Sequence, residues 1–401
     1  MTEAVETKIL AKSSLESIHQ RLSATMLEQD GWSVPESYGD VLLEYAAVRE
    51  SGCGLVDLSN RGRILVSGTE AVQFLNGLIT NDMKTLAVNS WMPAAFPNVH
   101  GRLIASVRVV RLKDEGTGPT TPAGLPRRGP RSNVCPTFLI DTEAATHNRV
   151  IKTIERFTLA GDFRVTDVTN ETAMLSVQGR KAFDVVRTSL GDTAAGIAPN
   201  QATQIGWPQD NESGNAAGDV ASRLTVIRAS HTGEDGFDLV VKADQASALW
   251  EVLQNAGARS VGYKALEILR IEAGVPRYGV DMDETNIVTE AALDGAVSYA
   301  KGCYVGQEII ARIKYRGHVA KKLSGVMFEQ AMKVEVGASI TSEDGKEVGR
   351  ITSVTYSPHL GRTIALAYLK YDYLAPDTSV KIISGAAELP AQVTELPFFK
   401  T

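Results

Sequence analysis

A thiol, an ammonium group and an aromatic ring fall close together in Lys301-Gly302-Cys303-Tyr304. Val305, Gly306, Gln307 and Glu308 follow, and an apolar-periodic segment then begins. Ile309, Ile310 and Ile313 share one face of a helix, while Glu308, Arg312 and Lys314 point elsewhere. Gly306 sits where that helix would start, so Cys303 is expected just ahead of a helix N-terminus. Oriented N–H groups there, with Lys301 alongside, favour an anion, which suits a reactive or ligand-contacting thiol. The plainer alternative is a tight turn around a buried cysteine, because free Cys is commonly a core residue.

Such a site needs a body to hold it, and 401 residues suffice for two or three domains with a well-buried core. The apolar fraction of 43% and charged fraction of 22% are ordinary for a soluble globular protein. A net charge of -6 argues against a general nucleic-acid surface. No apolar run approaches the ~18 residues of a membrane span, and the polar start MTEAVETKIL lacks a signal-peptide core. Cys53, Cys135 and Cys303 are spaced for neither a disulfide framework nor a CxxC metal site. The expectation is a cytoplasmic protein without membrane, nucleic-acid or resident-metal partners.

Taken in order, residues 1 to about 37 read as a helical, partly mobile lead-in, with Leu10, Leu15, Ile18 and Leu22 before the breaker Asp30-Gly31. Val41, Leu42, Tyr45 and Val48 repeat at helical spacing. Short strands are expected from Gly54 and from Arg63, the second opening into a helix with Thr69 as N-cap and Phe74, Leu75, Leu78 and Ile79 inward. Phe96 to Arg102 reads as a hairpin tip, and Leu103 to Leu112 as its return strand. Residues 113–136 and 206–222 are rich in Gly, Pro and polar residues and read as mobile insertions. Strand Leu224–Arg228 precedes SHTGEDGFDL, a turn into another strand. Helices follow over 244–256 and from Tyr263 to Glu272. Beyond Lys321 the chain alternates in short segments broken by turns such as Asp344-Gly345, which predicts a small antiparallel β-barrel without exposed edges.

KGCYVGQE resembles the signature of YgfZ-type folate-binding proteins, relatives of the T-protein (aminomethyltransferase) of the glycine cleavage system. DLSNRGRILVSGTEAVQFLNGLITND, TGEDGFD and LRIEAGVPRYGVDMD are similar to T-protein sequence, so the resemblance covers roughly residues 38 to 401. It implies an α+β fold, a cloverleaf of lobes around a central folate channel over 38–318, closed by a C-terminal antiparallel barrel over 319–401. Two departures stand out. T-proteins carry a Gly-Gly-x-x-Asp-Asp pattern at the hairpin, whose acidic residue assists aminomethyl transfer. Here Ala105 and Ser106 stand in place of the aspartates, and neither acts as a carboxylate at neutral pH. Leu266 stands where the family has a pterin-facing Arg.

The resemblance implies tetrahydrofolate, or a related reduced folate, as ligand, and a role in assembly or repair of iron–sulfur clusters in client enzymes. Asp238, with Glu234 as second candidate, would meet the pterin, since a carboxylate takes two N–H bonds from a 2-amino-pyrimidinone edge. Tyr304 would stack on a ring, and Asn98 and Gln307 would be further folate contacts. Lys301 would pair with the glutamate tail or keep Cys303 anionic. Cys303 would act as nucleophile, as one-carbon or sulfur acceptor, or as iron ligand. A folate-dependent one-carbon transferase or demethylase and a non-catalytic scaffold are the alternatives.

Overall fold

Strand-forming stretches assemble into four sheets in the computed structural model, which describes residues 10–50, 52–112, 135–156, 161–207 and 223–399. Most of the expected insertions, 113–134 and 208–222, lie outside the described residues. The first sheet has the order β11 (Ala202–Gly206), β12 (Arg223–Arg228), β13 (Gly236–Lys242), β10 (Thr172–Gln178), β4 (Gly54–Asp57), β14 (Arg259–Ser260). The second has the order β6 (Ser90–Pro97), β7 (Leu103–Arg111), β8 (Thr137–Thr142), β5 (Gly62–Ser67), β9 (Arg164–Asp167).

Each sheet buries one face under amphipathic helices, because its alternate side chains are apolar there. Leu175, Val226 and Leu239 of the first sheet pack on α5 (Ala182–Leu190) and α7 (Ala246–Asn255), beside the short α6 (Asp192–Ala195). Ile64, Val66, Phe138 and Ile140 of the second pack on α3 (Ala71–Leu78) and α4 (Ala144–Glu155). Their remaining faces meet each other: Val56, Met174, Ile227 and Val240 share a core with Val110, Leu112 and Leu139. Helices α2 (Val41–Arg49) and α8 (Tyr263–Glu272) join that core through Tyr45, Val48, Ala265 and Leu269. The α3 N-cap position is Glu70 rather than Thr69. Thr69 instead gives both its N–H and its hydroxyl to Asp162.

The lead-in departs from expectation. Residues 11–37 hold one short helix, α1 (Glu16–Arg21), and a small sheet of β1 (Ala11–Lys12), β3 (Trp32–Ser37) and β2 (Thr25–Gln29). Asp30 (φ +52°) and Gly31 (φ +83°) turn the chain between β2 and β3. An Asp-Gly pair at positive φ closes a hairpin, so here it is a turn and not a helix breaker. The buried His19 ring fastens this segment, with Nε2 2.9 Å from Asp57 and Nδ1 2.9 Å from the Tyr38 hydroxyl.

The C-terminal strands β15 (Lys321–Phe328), β18 (Arg362–Lys370), β17 (Glu347–Ser357), β16 (Ser339–Thr341), β19 (Ser379–Ser384) and β20 (Ala387–Thr394) close into an antiparallel barrel, as expected. Closure leaves no free edge. Among the described residues no helix is long and apolar enough to cross a membrane. The fold is therefore α+β lobes with an all-β barrel.

Helix α8 holds barrel and lobes together. Leu269 and Ile271 are fully buried, while the charged residues beside them reach outward to partners. Arg270 binds Asp281 and the hydroxyl of Ser353 in β17. The Glu272 carboxylate accepts from Tyr45, from Arg49 at 2.8 Å and from Ser357 of the barrel. Because both Arg49 and Glu272 are buried, removing one partner strands the other in a dry interior. Glu272→Ala is expected to cost about 3–5 kcal/mol, and Ser357→Ala only about 1 kcal/mol. Urea unfolding of both variants measures this, and a loss below ~1 kcal/mol for Glu272→Ala would contradict the latch.

Candidate functional site

Helix α9 (Gln307–Arg316) begins where the sequence placed it, and Gly306 is its N-cap in the left-handed region, φ +76°. A Cβ there would stand 2.4 Å from the Asn98 carbonyl oxygen and 3.1 Å from the Gly101 backbone. Gly101 (φ +70°) in turn packs on Ile309 and Ile310. The start of α9 is thus seated, backbone on backbone, against the β6–β7 hairpin tip. Asn98 shapes that tip: its side-chain oxygen accepts from the N–H groups of His100 and Arg102 at 2.9 and 3.1 Å. Cys303 is solvent-exposed just ahead of this junction, whereas Cys53 and Cys135 are buried.

Lys301 and Tyr304 have roles other than those expected of them. The Lys301 ammonium donates to the carbonyls of Asn76, Ile79 and Asn81 at 2.7, 2.9 and 2.6 Å. Those oxygens end or follow α3, where a helix leaves carbonyls without partners. Burial draws the Lys301 pKa down to about 8, against the pull of Asp82. Lys301 is therefore a helix-end anchor, committed away from both Cys303 and any folate tail. Tyr304 is buried with Ala95, Leu103, Tyr278 and Ile310, and its ring lies 5.0 Å from the Lys301 ammonium. A ring so enclosed is not offered for stacking. Gln307 is half-buried in the first turn of α9, its N–H returning to the Tyr304 carbonyl at 3.2 Å.

Of the two expected pterin acids, Glu234 is engaged at both oxygens, whereas Asp238 keeps one buried oxygen, Oδ1, without a hydrogen-bond partner among the described residues. Glu234 pairs with Arg49 at 2.9 Å in the latch. Asp238 is fully buried, accepting from Arg108 at 2.6 Å and lying 2.8 Å from His231 Nε2. Burial opposes its charge, but His231 and Arg108 outweigh that and hold its carboxyl well below the usual carboxylate range. Arg108 also faces Asp141, its cross-strand neighbour on β8, at 2.7 Å, and Asp141 pairs with Arg61 at 2.7 Å.

Outside this network opens a cavity of about 100 Å³, lined by Leu58, Asn60, Arg61, Glu143, His231 and Leu266 among others. That is below the roughly 300–1,000 Å³ of a typical small-molecule pocket, and the space continues into open solvent. Among the described residues, neither Asn98, Glu234, Asp238 nor any of 301–308 lines it. The thiol and the cavity are thus separate features. Sequence reasoning passed over Arg61, Arg108, Glu143 and His231. Arg108 within the apolar strand after Leu103 and the aspartate ending Phe138-Leu139-Ile140-Asp141 were the available signals, since a charge inside such a strand needs a partner.

The two glycines of the cysteine loop differ in consequence. Gly306→Ala forces an αL conformation on a residue with a Cβ, so at least about 1–2 kcal/mol of stability is expected to be lost, besides the clash with Asn98. A Cβ at Gly302 meets nothing within 4 Å, and Gly302→Ala should stay within ~0.5 kcal/mol of the parent. Thermal unfolding of the pair decides; equal stability would remove the proposed seating of the loop.

Comparison with known proteins agrees with this architecture. The family model described as GCVT N-terminal domain matches residues 15–124 and 135–301, and that of the glycine cleavage T-protein C-terminal barrel domain matches 321–400. The match starts at residue 15, so it takes in part of the lead-in that the sequence resemblance left out. Aminomethyltransferase of Symbiobacterium thermophilum is 31% identical over 402 residues, covering 98% of each chain. That of Shouchella clausii is 30% identical over 401 residues, covering 99% of each. The crystal structure of glycine cleavage system aminomethyltransferase T from Bartonella henselae superposes with a TM-score of 0.82 at 22% identity, covering 98% of both chains, a likeness of fold. With its lobes and its barrel both matched and its relatives aligned almost end to end, this chain belongs to the glycine cleavage T-protein family.

Proposed function

We propose that this T-protein-family member is of the YgfZ type: it binds a reduced folate such as tetrahydrofolate and uses Cys303 in assembly or repair of iron–sulfur clusters in client enzymes. The observation that carries the reading is the exposed Cys303 thiol on a loop clamped to the β6–β7 hairpin. On that hairpin's return strand, the buried methyl of Ala105 and the hydroxyl of Ser106 replace the carboxylates that would assist aminomethyl transfer. In this reading the pterin enters the cavity beside His231, whose walls include Tyr263 and Leu266.

A thiol handling iron or sulfur needs further ligands. Among the described residues, no group of three or more His, Cys, Asp or Glu is placed to hold a metal. Cys303 then serves as one ligand or acceptor while client or assembly proteins supply the rest, with cluster iron as cargo rather than resident cofactor. A reducing cytoplasm keeps an exposed thiol available for this. The name aminomethyltransferase borne by the full-length relatives favours aminomethyl transfer as a second reading.

Calorimetric titration with tetrahydrofolate is expected to give the same affinity, within about threefold, for the parent and Cys303→Ala, because Cys303 does not line the cavity. No binding by the parent would defeat the folate reading. In a deletion strain, Cys303→Ala is expected to fail where the parent restores iron–sulfur enzyme activity. Full restoration by the variant would refute the thiol role, and production of methylenetetrahydrofolate from an amine donor would move the second reading ahead.

A further inference from the structure

Charge is unevenly spread along this chain. Between Lys301 and Lys322 stand six Lys or Arg residues and one acid, Glu308, although the whole chain carries a net charge of -6. Three of the six are engaged: Lys301 at the end of α3, Lys321 over the Tyr368 ring at 4.9 Å, and Lys322 on Asp294 at 2.8 Å. The other three, Arg312, Lys314 and Arg316, lie exposed on α9 and, among the described residues, pair with no carboxylate. Lys314 and Arg316 sit in the last turn, where the helix dipole favours cations, but Arg312 lies a turn earlier. Exposed apolar surface collects at the same place. Val99 and Tyr315, at 71% and 68%, are the most exposed large apolar side chains among the described residues. Val99 is on the hairpin tip against which the start of α9 is seated, and Tyr315 is on α9 itself. The Tyr315 ring meets Tyr299 edge to face, with centroids 6.3 Å apart, and Lys314 lies over that same Tyr299 ring at 5.1 Å. A ring held in this way loses little freedom on binding.

Arg312, Tyr315 and Arg316 are three or four residues apart and so share one side of the helix, away from the buried Ile310. We propose that this side of α9, with the β6–β7 hairpin tip, is the surface on which an acidic face of a client protein docks. The proposal names the partner class for the thiol reading and rests on it. Arginine, tyrosine and exposed apolar side chains together are the residue types that carry protein interfaces. Unpaired cations attract an anionic surface, while the acidic balance of the rest of the chain repels it. That contrast steers such a partner to this strip and not to another. Cys303 lies exposed three residues ahead of the α9 N-cap, so a partner laid along the helix reaches the thiol. A nucleic acid fits less well. Three cations along a helix of ~15 Å neutralise few phosphates, and Val99 offers nothing to a phosphate backbone.

The test uses the full-length protein and two labelled probes, a peptide of Glu and Leu and a single-stranded RNA of equal charge. Arg312→Glu with Arg316→Glu reverses the strip, and Arg312→Gln with Arg316→Gln neutralises it. Arg259→Glu with Lys333→Glu, exposed on β14 and between β15 and β16, changes net charge as much elsewhere. All three are expected to keep the parent thermal midpoint, because the altered side chains are exposed. Reversal should weaken peptide binding at low salt roughly tenfold, neutralisation less, and the control not at all. In the deletion strain the reversal variant should fail to restore iron–sulfur enzyme activity, while the control restores it. Full restoration by the reversal variant where Cys303→Ala fails overturns the docking surface and leaves the thiol reading standing. Full restoration by Cys303→Ala overturns both. A control that fails equally would reduce the effect to net charge and overturn the proposal. So would RNA bound more tightly than the peptide, or a dimer of this chain that reversal dissociates, since each gives the strip another occupant.

Discussion

The Arg108 guanidinium lies between Asp141 of its own sheet and Asp238 of the other, and it is a charged tie in a largely apolar seam. A buried arginine is tolerated only when its charge is matched, because desolvation of an unpaired ion costs several kcal/mol. Here one cation faces two anions, and His231 and Arg61 stand at the two ends of the chain of charges. The network fixes how the two sheets meet. It also shapes the cavity, since Oδ2 of Asp238 is held by Arg108 and His231 and the cavity wall begins at His231.

The same logic recurs at the barrel. Helix α8 serves two bodies at once: Leu269 fills the core between the sheets, while Ile271 packs with Leu323, Ile364 and Leu366 of the barrel, Arg270 reaches Ser353 and Glu272 reaches Ser357. A stretch that resembles T-protein sequence thereby proves to be a joint. Its partners Arg49 and Glu272 are separated by 223 residues. Apolar periodicity says which face is buried; it carries no information about which distant charge will meet a polar side chain.

That distinction explains what the sequence made legible. Helix α8, the start of α9 and the barrel followed from spacing, glycine placement and turn residues, whereas spacing left the exposure of Cys303 open. The β-rich lead-in was misread because Ile18 does lie on a helix, with Leu15 at its N-cap, but the helix has only 6 residues. Lys301 and Tyr304 were read by their proximity to the cysteine, although successive residues in a tight loop diverge. The ammonium turns to the end of α3 and the ring to a separate apolar cluster. Glu143 was passed over because nothing in the chain around it marks a cavity; the cavity exists only once α4, α8 and the β2–β3 turn converge.

The separation of thiol and cavity constrains any mechanism. Gly306 and Gly101 bring two backbones into contact, so the loop bearing Cys303 is fixed to the hairpin and cannot swing toward His231 without breaking that seat. Direct transfer between a pterin in the cavity and the Cys303 sulfur would require the ligand's far end, not its ring, to approach the thiol. On the proposed folate reading, a ring held in the cavity acts on Cys303 indirectly, as a structural or regulatory occupant. On that same reading the thiol works outward, toward a partner that would bring the remaining iron or sulfur ligands to the surface where Cys303 is exposed.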